Sequence, residues 1–334
     1  MQTHRFTLRP QTAFGTPLVG DTLFGQLCWG FARRFGRDWL TDRLRGYTEG
    51  RPFLVLSDAF PQGFLPLPTV PGKFWTPQGD TDRKALKKKR WLPVEAMKSP
   101  FSEWQSLARN DAEAAEVVLK QNCVDTKVVK EILKRDGIPL QILRTQPHNT
   151  INRATSTTGE GMFAPYAQTQ IWFHPDMRLE LYAVLDETRV TAEEFVATLT
   201  DMGQSGYGRD ASIGLGKFEI KQDETFSTLP HSKDANAWLT LAPLAPQGLG
   251  LDAKNSFYQP LTRFGRHGDA AVHSGNPFKR PLLLAKTGSV FMPTNHFEKR
   301  DFLGQGLGNI SSACPEAVAQ GYAPVVGIRM EKKA

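Results

Sequence analysis

Four glycines and two cations are concentrated in one short segment, Gly206 to Phe218 (GYGRDASIGLGKF). Glycine lets a backbone approach a ligand closely, and successive N–H groups in such a loop can surround an anion. Arg209, Ser212 and Lys217 add side-chain donors that suit phosphate. The segment predicts a phosphate-binding loop, and a tight turn that serves only the path of the chain remains the alternative.

The setting of this glycine-rich loop separates it from two nucleotide-cofactor motifs. No Gly-Lys-Ser/Thr opens a helix, as it does in the phosphate loop of NTPases. The glycines also precede a predicted strand, whereas those of a dinucleotide-binding fold follow one. The loop therefore indicates neither cofactor site.

A second segment, residues 148–159 (HNTINRATSTTG), places hydroxyl and amide side chains around one arginine, just before a predicted strand. Such groups hydrogen-bond to phosphate and sugar oxygens in nucleic-acid complexes. An ordinary polar loop has the same composition, so both interpretations stay open.

The third segment is basic: six of the eight residues from Arg83 to Arg90 are Lys or Arg. Phe74, Trp75 and Trp91 flank it, and aromatic rings can stack on bases while cations neutralise phosphates. A solvated charged face is the alternative. Within the segment we take these residues as candidate nucleic-acid contacts: Lys87, Lys88, Lys89, Arg90 and Trp91. Arg263–His267 and Asn276–Arg280 repeat the basic and aromatic combination more weakly.

Catalytic and metal-binding patterns are missing from the sequence. The seven histidines lack the helical i, i+4 spacing and the nearby cysteines of metal sites. The three cysteines are far apart, and neither a Gly-x-Ser-x-Gly elbow nor a paired-carboxylate motif occurs. We predict no catalytic residue, no metal and no cofactor.

Composition limits the class of protein. The length of 334 residues suggests about two domains, and a 40% hydrophobic, 22% charged chain is ordinary for a globular protein. No apolar run reaches the roughly 18 residues that cross a bilayer, and the first residues carry no signal-peptide core. We expect a cytoplasmic protein without a membrane partner. An isoelectric point near 9.3 permits a polyanionic binding partner such as a nucleic acid.

Periodicity predicts the elements that position these segments. Thr3–Leu8 alternates as a strand, Gly20-Asp21-Thr22 offers a helix N-cap before an apolar stripe that ends at Phe35, and Phe53–Phe60 predicts a second strand. Strand, helix, strand is half of a βαββαβ unit. Residues 61–146 then interrupt it as a Pro-rich and partly helical insertion.

The unit resumes after the insertion. Residues 161–173 and 178–185 predict strands, and a Thr191–Glu194 capping box opens a helix that we expect to stop at Gly203. Gly216–Ile220 predicts the closing strand. Residues 1–222 therefore form one domain with an insertion at 61–146, and residues 223–334 form a second, degenerate α+β domain whose one predicted helix is Ser312–Gln320.

Three of these segments together carry a family resemblance: the helix opening 20–29 (GDTLFGQLCW), the polar stretch 148–153 and the glycine-rich loop. They resemble the RAMP superfamily of CRISPR proteins, and within it the subunits that cap the 5′ end of the crRNA in type III-A (Csm) effector complexes. Residues 286–291 (KTGSVF) extend the resemblance into the second half of the chain. Residues 61–146 match the family only in position.

The resemblance implies an α+β fold of two ferredoxin-like (RRM-like) βαββαβ domains, the first with a thumb-like insertion between its second and third strands and the second degenerate. It implies a non-catalytic subunit that holds the 5′ repeat-derived tag of the crRNA. Such a subunit bridges the large polymerase-like type III subunit to the repeated backbone RAMP subunit, so target RNA is an indirect partner.

The resemblance also assigns roles residue by residue. The residues it implies as tag contacts are Gly206, Tyr207, Gly208, Arg209, Ser212, Gly214, Gly216 and Lys217. Those implied along the crRNA backbone are Asp21 and Thr22 at a helix N-terminus, with Asn149, Asn152, Arg153 and Thr155.

Two alternatives stay open. RAMP relatives that process repeat RNA also carry a glycine-rich loop and use a histidine as general base, for which His4 and His148 are the candidates here. A generic RNA-binding or scaffold protein with purely structural loops is the other.

Overall fold

The computed structural model describes residues 1–76, 83–123, 139–268 and 276–331, which form a mixed α and β structure with several antiparallel sheets. The helices are α1 (Gly20–Phe35), α2 (Arg37–Leu44), α3 (Arg83–Lys88), α4 (Trp104–Leu107), α5 (Asp111–Asn122) and α6 (Ala192–Ser205). The strands up to residue 185 are β1 (Gln2–Pro10), β2 (Leu54–Leu56), β3 (Phe60–Pro61), β4 (Phe64–Pro66), β5 (Trp91–Pro93), β6 (Ile142–His148), β7 (Ile151–Asn152), β8 (Thr157–Thr158), β9 (Tyr166–Trp172) and β10 (Leu179–Leu185).

The later strands are β11 (Phe218–Gln222), β12 (Ala237–Thr240), β13 (Pro260–Arg263), β14 (Leu282–Ala285), β15 (Val290–Phe291), β16 (Phe302–Leu307) and β17 (Ala319–Ile328).

The first large sheet has the order β11–β1–β10–β2, with β3 also paired to β10, and every pair is antiparallel. Phe6 and Leu8 on β1 are fully buried together with Leu23 and Leu27 of α1 and Phe195 of α6. The apolar face of the sheet and the predicted apolar stripe of α1 therefore pack against each other and form one core that excludes water.

Two predicted boundaries change in the structure. The strand predicted at 53–60 is divided into β2 and β3, because the Asp58 N–H leaves the sheet and donates to the Leu241 carbonyl 2.8 Å away. The predicted N-cap of α1 is wrong: Val19 precedes the helix and makes no side-chain cap. The capping box of α6 is confirmed, and that helix runs on to Ser205.

The capping box supplies a direct test of local helix stability. The Thr191 hydroxyl accepts from the Glu194 N–H at 3.2 Å, and the Glu194 carboxylate accepts from the Thr191 N–H at 2.9 Å. We expect Thr191→Ala to lower the free energy of unfolding by about 1 kcal/mol, measured by urea denaturation. Thr191→Ser keeps the oxygen and should match the wild type; equal losses in both variants would contradict a capping role.

The insertion is longer than predicted. Ile142 pairs with Trp172 and His148 with Tyr166, so β6 and β9 form a seven-residue antiparallel arm outside the first large sheet, with β7 and β8 near its end. The end predicted at residue 146 is therefore wrong, because the strand predicted at 161–173 pairs with 142–148. We call this arm, residues 142–172, the thumb hairpin.

The second half contains a four-stranded sheet, β15–β12–β17–β16, and the separate β13–β14 hairpin. Neither residues 223–268 nor residues 276–331 contain an α-helix. The helix predicted at 312–320 is wrong, because Ala319 and Gln320 already belong to β17, which pairs with β16 and β12.

Gln320 joins the two halves. Its side-chain amide donates to the Leu56 carbonyl at 2.8 Å and accepts from the Leu56 N–H at 2.9 Å, so it imitates a neighbouring strand at the edge of the first sheet. Gln320 is fully buried, as is Leu56. Both polar groups of the buried edge residue are thereby paired, as buried backbone requires.

Among the described residues, no helix has the length and apolar character needed to cross a membrane.

Candidate nucleic-acid interface

The glycine-rich loop connects α6 to β11 and is locked against the segment 11–19 that precedes α1. The Gly216 N–H donates to the Ala13 carbonyl at 2.7 Å, and the Lys217 N–H donates to the Thr12 hydroxyl at 3.0 Å. The Gly208 N–H is held by the Gln26 side chain at 2.7 Å. Contacts from segment 11–19 and from α1 therefore fix the loop.

Most backbone donors of the loop are used inside the protein. The N–H groups of residues 206–209 and 213–217 all donate to protein oxygens. The proposed ring of backbone N–H groups around an anion is corrected accordingly, because these donors are already engaged. A ligand here would meet mainly side chains.

The glycines provide close packing. Gly206 and Gly216 are buried and adopt positive φ angles of 102° and 74°. A Cβ on Gly216 would lie 2.1 Å from the Tyr207 carbonyl oxygen, and one on Gly208 would lie 2.5 Å from Thr16. These three glycines therefore serve the path of the chain, which was the alternative left open by the sequence. Gly214 is partly exposed with open space beside it.

Tyr207 is a core residue. Its ring is 1% exposed, its hydroxyl donates to the Pro17 carbonyl at 2.9 Å, and it also contacts the Thr22 hydroxyl. Burial raises the pKa of Tyr207. The expected contact between this side chain and RNA is corrected, because the ring has no free face.

The loop nevertheless presents three polar side chains to solvent. Arg209, Ser212 and Lys217 are exposed. The Arg209 guanidinium donates to the Thr169 carbonyl on β9 at 2.7 Å and lies 3.4 Å from the Asp210 carboxylate. Arg209 therefore ties the loop to the thumb hairpin, a role that its sequence position did not indicate.

The base of the thumb hairpin is attached to the same segment. Phe14 and Ile171 exchange two backbone hydrogen bonds of 2.8 and 2.9 Å. Segment 11–19, the glycine-rich loop and the thumb hairpin thus meet at one junction. Segment 11–19 could not be identified from the sequence, because its Thr12 and Thr16 belong to no recognisable motif.

The polar residues expected along an RNA backbone lie on the outer part of the thumb hairpin. Asn149, Asn152, Arg153 and Thr155 are all exposed there. The Asn152 side chain accepts from the Ala154 N–H at 3.0 Å, which shapes the turn. These four residues share one surface, but it is at the far end of the hairpin from the glycine-rich loop.

One face of the hairpin carries aromatic and amide groups. His148 stacks on Tyr166 with ring centroids 5.0 Å apart. The next pair on that face is Gln146 opposite Gln168, followed by Arg144 opposite Gln170. The His148 Nε2 and Gln168 Oε1 atoms are shielded from solvent and have no hydrogen-bond partner in the described structure. Two buried polar atoms on this face therefore lack hydrogen-bond partners among the described residues.

Asp21 and Thr22 do not face a ligand. The Asp21 carboxylate accepts two hydrogen bonds from the Arg263 guanidinium, at 2.6 and 3.0 Å, and the Thr22 hydroxyl donates to the Val19 carbonyl. Burial raises the pKa of Asp21, and the cation opposes that shift. The predicted RNA contacts of both residues are corrected: Asp21 joins α1 to the second half of the protein, and the Thr22 hydroxyl contacts the buried Tyr207.

The basic segment divides into exposed and anchored residues. Lys87, Lys88 and Arg90 are exposed, whereas the Lys89 ammonium donates to the Ser106 carbonyl at 2.6 Å. Burial lowers the pKa of Lys89. The Trp91 indole N–H donates to the Asp111 carboxylate at 2.7 Å.

The flanking aromatic rings belong to the interior. Phe74 and Trp75 are buried, and their rings pack on Phe257 and Phe101 respectively. The predicted stacking of bases on these two rings is corrected because their faces are covered. Trp91 is half-buried, with its ring edge-on to another ring.

A cleft of about 500 Å³ opens where these parts meet. Its walls include Val19 before α1, Trp91 of the basic segment, Ile171 at the thumb base and Thr287 from the second half. Asp58 lies in it, and burial raises the pKa of that carboxyl to about 7, against hydrogen bonds from Thr287 and the Gly20 N–H.

The two histidines considered as general bases lie on different strands, His4 on β1 and His148 on β6. His4 is six residues before Pro10, roughly 20 Å along β1, and Pro10 pairs with Phe218 beside the glycine-rich loop. The His4 Nε2 atom lies 3.0 Å from the Glu187 carboxylate. Within residues 1–76, 83–123, 139–268 and 276–331, no group of three or more His, Cys, Asp and Glu residues is arranged to hold a metal ion.

No protein-family model and no curated protein sequence matches this chain. Solved structures do match its fold. A chain in the crystal structure of the Csm3–Csm4 subcomplex of the type III-A CRISPR-Cas interference complex superimposes with a TM-score of 0.57 and 16% identity, over 98% of this chain and 99% of that one.

Csm1–Csm4 cassettes match similarly. Chains from the cassettes in complex with pppApA and with cA4 each give a TM-score of 0.53 and 14% identity, over 99% of this chain and 100% of the other. At such identities the likeness concerns the fold, and it extends across both halves. The protein therefore has the fold of a subunit found in these type III CRISPR-Cas complexes.

Proposed function

We propose that this protein is a Csm4-type RAMP subunit that binds crRNA without cleaving it and holds its 5′ repeat-derived tag. The observation that carries the proposal is the junction at which the glycine-rich loop, segment 11–19 and the thumb hairpin are locked together. Arg209, Ser212 and Lys217 are left exposed beside an extended hairpin, and cations with hydroxyls suit an RNA backbone.

The fold supports this proposal. Csm4 is common to the complexes that contain the matching chains. The order β11–β1–β10–β2, with α1 and α6 between its strands, is that of a ferredoxin-like βαββαβ unit, and we interpret the second half as a degenerate copy that has lost its helices. The thumb hairpin takes the place between the second and third strands of that unit.

The partners follow from the same proposal. Csm1 and Csm3 accompany Csm4 in those structures. We infer that this protein bridges a large Csm1-like subunit and a Csm3-like backbone subunit in the cytoplasm, and that target RNA contacts it only through the assembly.

The test is to purify the tagged protein from its native host and to sequence the 5′ ends of the RNA that remains bound. A short repeat-derived 5′ sequence followed by diverse spacers is the expected result. Scattered ends, or no RNA, would overturn the proposal. A repeat-RNA nuclease is the rival, and labelled repeat RNA incubated with near-stoichiometric protein should stay full length, with and without magnesium.

Lys217 supplies a quantitative prediction. Its side chain is exposed while its backbone is anchored by Thr12, so Lys217→Ala removes one cation without disturbing the loop. We expect the slope of log K against log salt for crRNA binding to fall by about 0.7, the contribution of one phosphate on a single strand.

Lys221→Ala is the matched control, because Lys221 is an exposed lysine four residues further along, on β11. Its slope should equal that of the wild type in the same titration. Equal changes for both lysines would mean that only general charge, and no contact at the loop, determines RNA binding.

A further inference from the structure

The β13–β14 hairpin has no part in the junction described above. It stands outside both larger sheets, and its pairing continues past the strands through the Arg266–Phe278 bridge. The Lys279 N–H donates to the Gly265 carbonyl at 2.8 Å, and the His267 N–H donates to the Pro277 carbonyl at 2.8 Å. The outer part of the hairpin is therefore ordered by its own ladder.

One face of this hairpin is fixed to the body of the protein. Arg263 forms the ion pair with Asp21, and Leu284 is buried. Further out, the His267 Nε2 atom lies 2.7 Å from the Ser311 hydroxyl. These contacts attach one face of the hairpin to the body of the protein, so the side chains on the other face point towards solvent.

The opposite face is exposed and aromatic. Phe264 is 76% exposed, Phe278 is 64% exposed and Leu283 is 60% exposed. Arg266 and Arg280 are exposed among them. We call Phe264, Phe278, Arg266 and Arg280 the aromatic-arginine face; Leu283 is an exposed neighbour outside it. Three large apolar side chains exposed on one short hairpin are a cluster of the kind that marks an interaction surface.

Both arginines are held in place. The Arg266 guanidinium lies over the Phe278 ring, 5.8 Å from its centroid. The Arg280 guanidinium donates to the Asn309 carbonyl at 3.2 Å and to its side-chain oxygen at 2.9 Å. Each keeps further N–H donors, since a guanidinium has five. Arg266 therefore lies against an exposed ring, and Arg280 is held in place by Asn309, before any ligand binds.

The surrounding sequence favours a polyanion. Residues 253–286 contain six Lys or Arg residues and one acidic residue. The exposed apolar side chains are interleaved with cations along both strands. Phenyl rings separated by guanidinium groups fit a single strand of nucleic acid, whose bases stack while its phosphates pair with cations.

We infer that the aromatic-arginine face binds single-stranded RNA, with bases stacked on Phe264 and Phe278 and phosphates held by Arg266 and Arg280. The inference rests on the proposed function for the nature of the ligand, and it adds a second contact surface. The two surfaces are neighbours, because Gln259 and Thr287, which flank this hairpin, line the cleft beside the thumb hairpin.

The test uses the full chain and a labelled poly(U) oligonucleotide. The double variant Phe264→Leu/Phe278→Leu keeps apolar volume but removes both rings, and it should weaken poly(U) binding roughly tenfold or more, as loss of two stacked bases implies. Leu283→Ala is the matched control, equally exposed but without a ring, and its affinity should stay within about twofold of the wild type.

A photoreactive benzoylphenylalanine in place of Phe264 tests the contact directly. Crosslinking to poly(U), and to crRNA in the purified complex, is the expected result. Crosslinking to protein alone, or unchanged affinity in the double variant, would overturn the inference. Failure of the proposed function is separate: scattered 5′ ends in the co-purified RNA would reject tag binding while leaving poly(U) stacking intact.

Discussion

Gly216→Ala is expected to destabilise the protein by about 2–5 kcal/mol and to abolish crRNA retention. The residue is buried with φ of 74°, a conformation that costs an L-residue about 1–2 kcal/mol. Its new Cβ would lie 2.1 Å from the Tyr207 carbonyl oxygen and 2.5 Å from the Tyr207 nitrogen, and backbone atoms cannot rotate away. The clash can be relieved only by separating the two chain segments, and overpacking of this kind costs about a further 1–3 kcal/mol.

Gly214→Ala is the matched control within the same loop. Gly214 also has a positive φ, 98°, but nothing lies within 4 Å of its Cβ position. It should carry the conformational cost alone, about 1–2 kcal/mol, and keep most RNA binding. Urea denaturation followed by tryptophan fluorescence measures both variants. Equal losses would show that close packing at Gly216 has no role.

Arg263→Met is expected to cost about 3–5 kcal/mol, because it leaves the Asp21 carboxylate buried without its cation. The Asp21 side chain is 6% exposed, and the two hydrogen bonds from Arg263 offset its loss of solvent. Arg266→Met on the same hairpin removes an exposed arginine and should change the free energy of unfolding by about 0.5 kcal/mol or less.

The double variant Asp21→Asn/Arg263→Met separates charge from packing. It should recover most of the lost stability, because an uncharged pair has no ion to desolvate. No recovery would mean that Arg263 acts through packing alone.

The Arg263→Met penalty should depend on pH. Burial already raises the pKa of Asp21, and loss of the cation raises it further. A group whose pKa is raised on folding contributes stability at low pH and loses it as pH rises through the folded value. The penalty relative to wild type should therefore be full at alkaline pH and should shrink on acidification. Urea titrations at several pH values measure this, and a constant penalty would contradict the buried-charge explanation.

The glycine-rich loop shows how far sequence reasoning extends. Its place between a helix and a strand was predicted correctly, because the capping box at Thr191 and the alternation after Gly216 are local signals. The partners of its backbone were not predictable. Gln26 and Thr12 lie some 180 to 205 residues away along the chain, and no local pattern announces such contacts. Tyr207 was misassigned for the same reason.

The thumb hairpin was recoverable in part. Residues 144–146 (RTQ) and 168–170 (QTQ) have similar polar sequences that suit exposed strands. The two segments pair directly in the antiparallel register. Reading residues 142–148 as a strand would have moved the insertion boundary. The error at Ser312–Gln320 has a different cause: helix-forming composition was overridden by tertiary contacts, since Gln320 is needed at the edge of β2.

The clasp between Gln320 and Leu56 also bears on synthesis. The edge of β2 acquires its last partner only when residue 320 has left the ribosome, 264 positions later. Until then the nascent chain carries an unprotected apolar sheet edge, and such edges invite pairing with other chains. Because an early strand depends on a late residue, we expect chaperones that hold emerging chains to raise the yield of this protein.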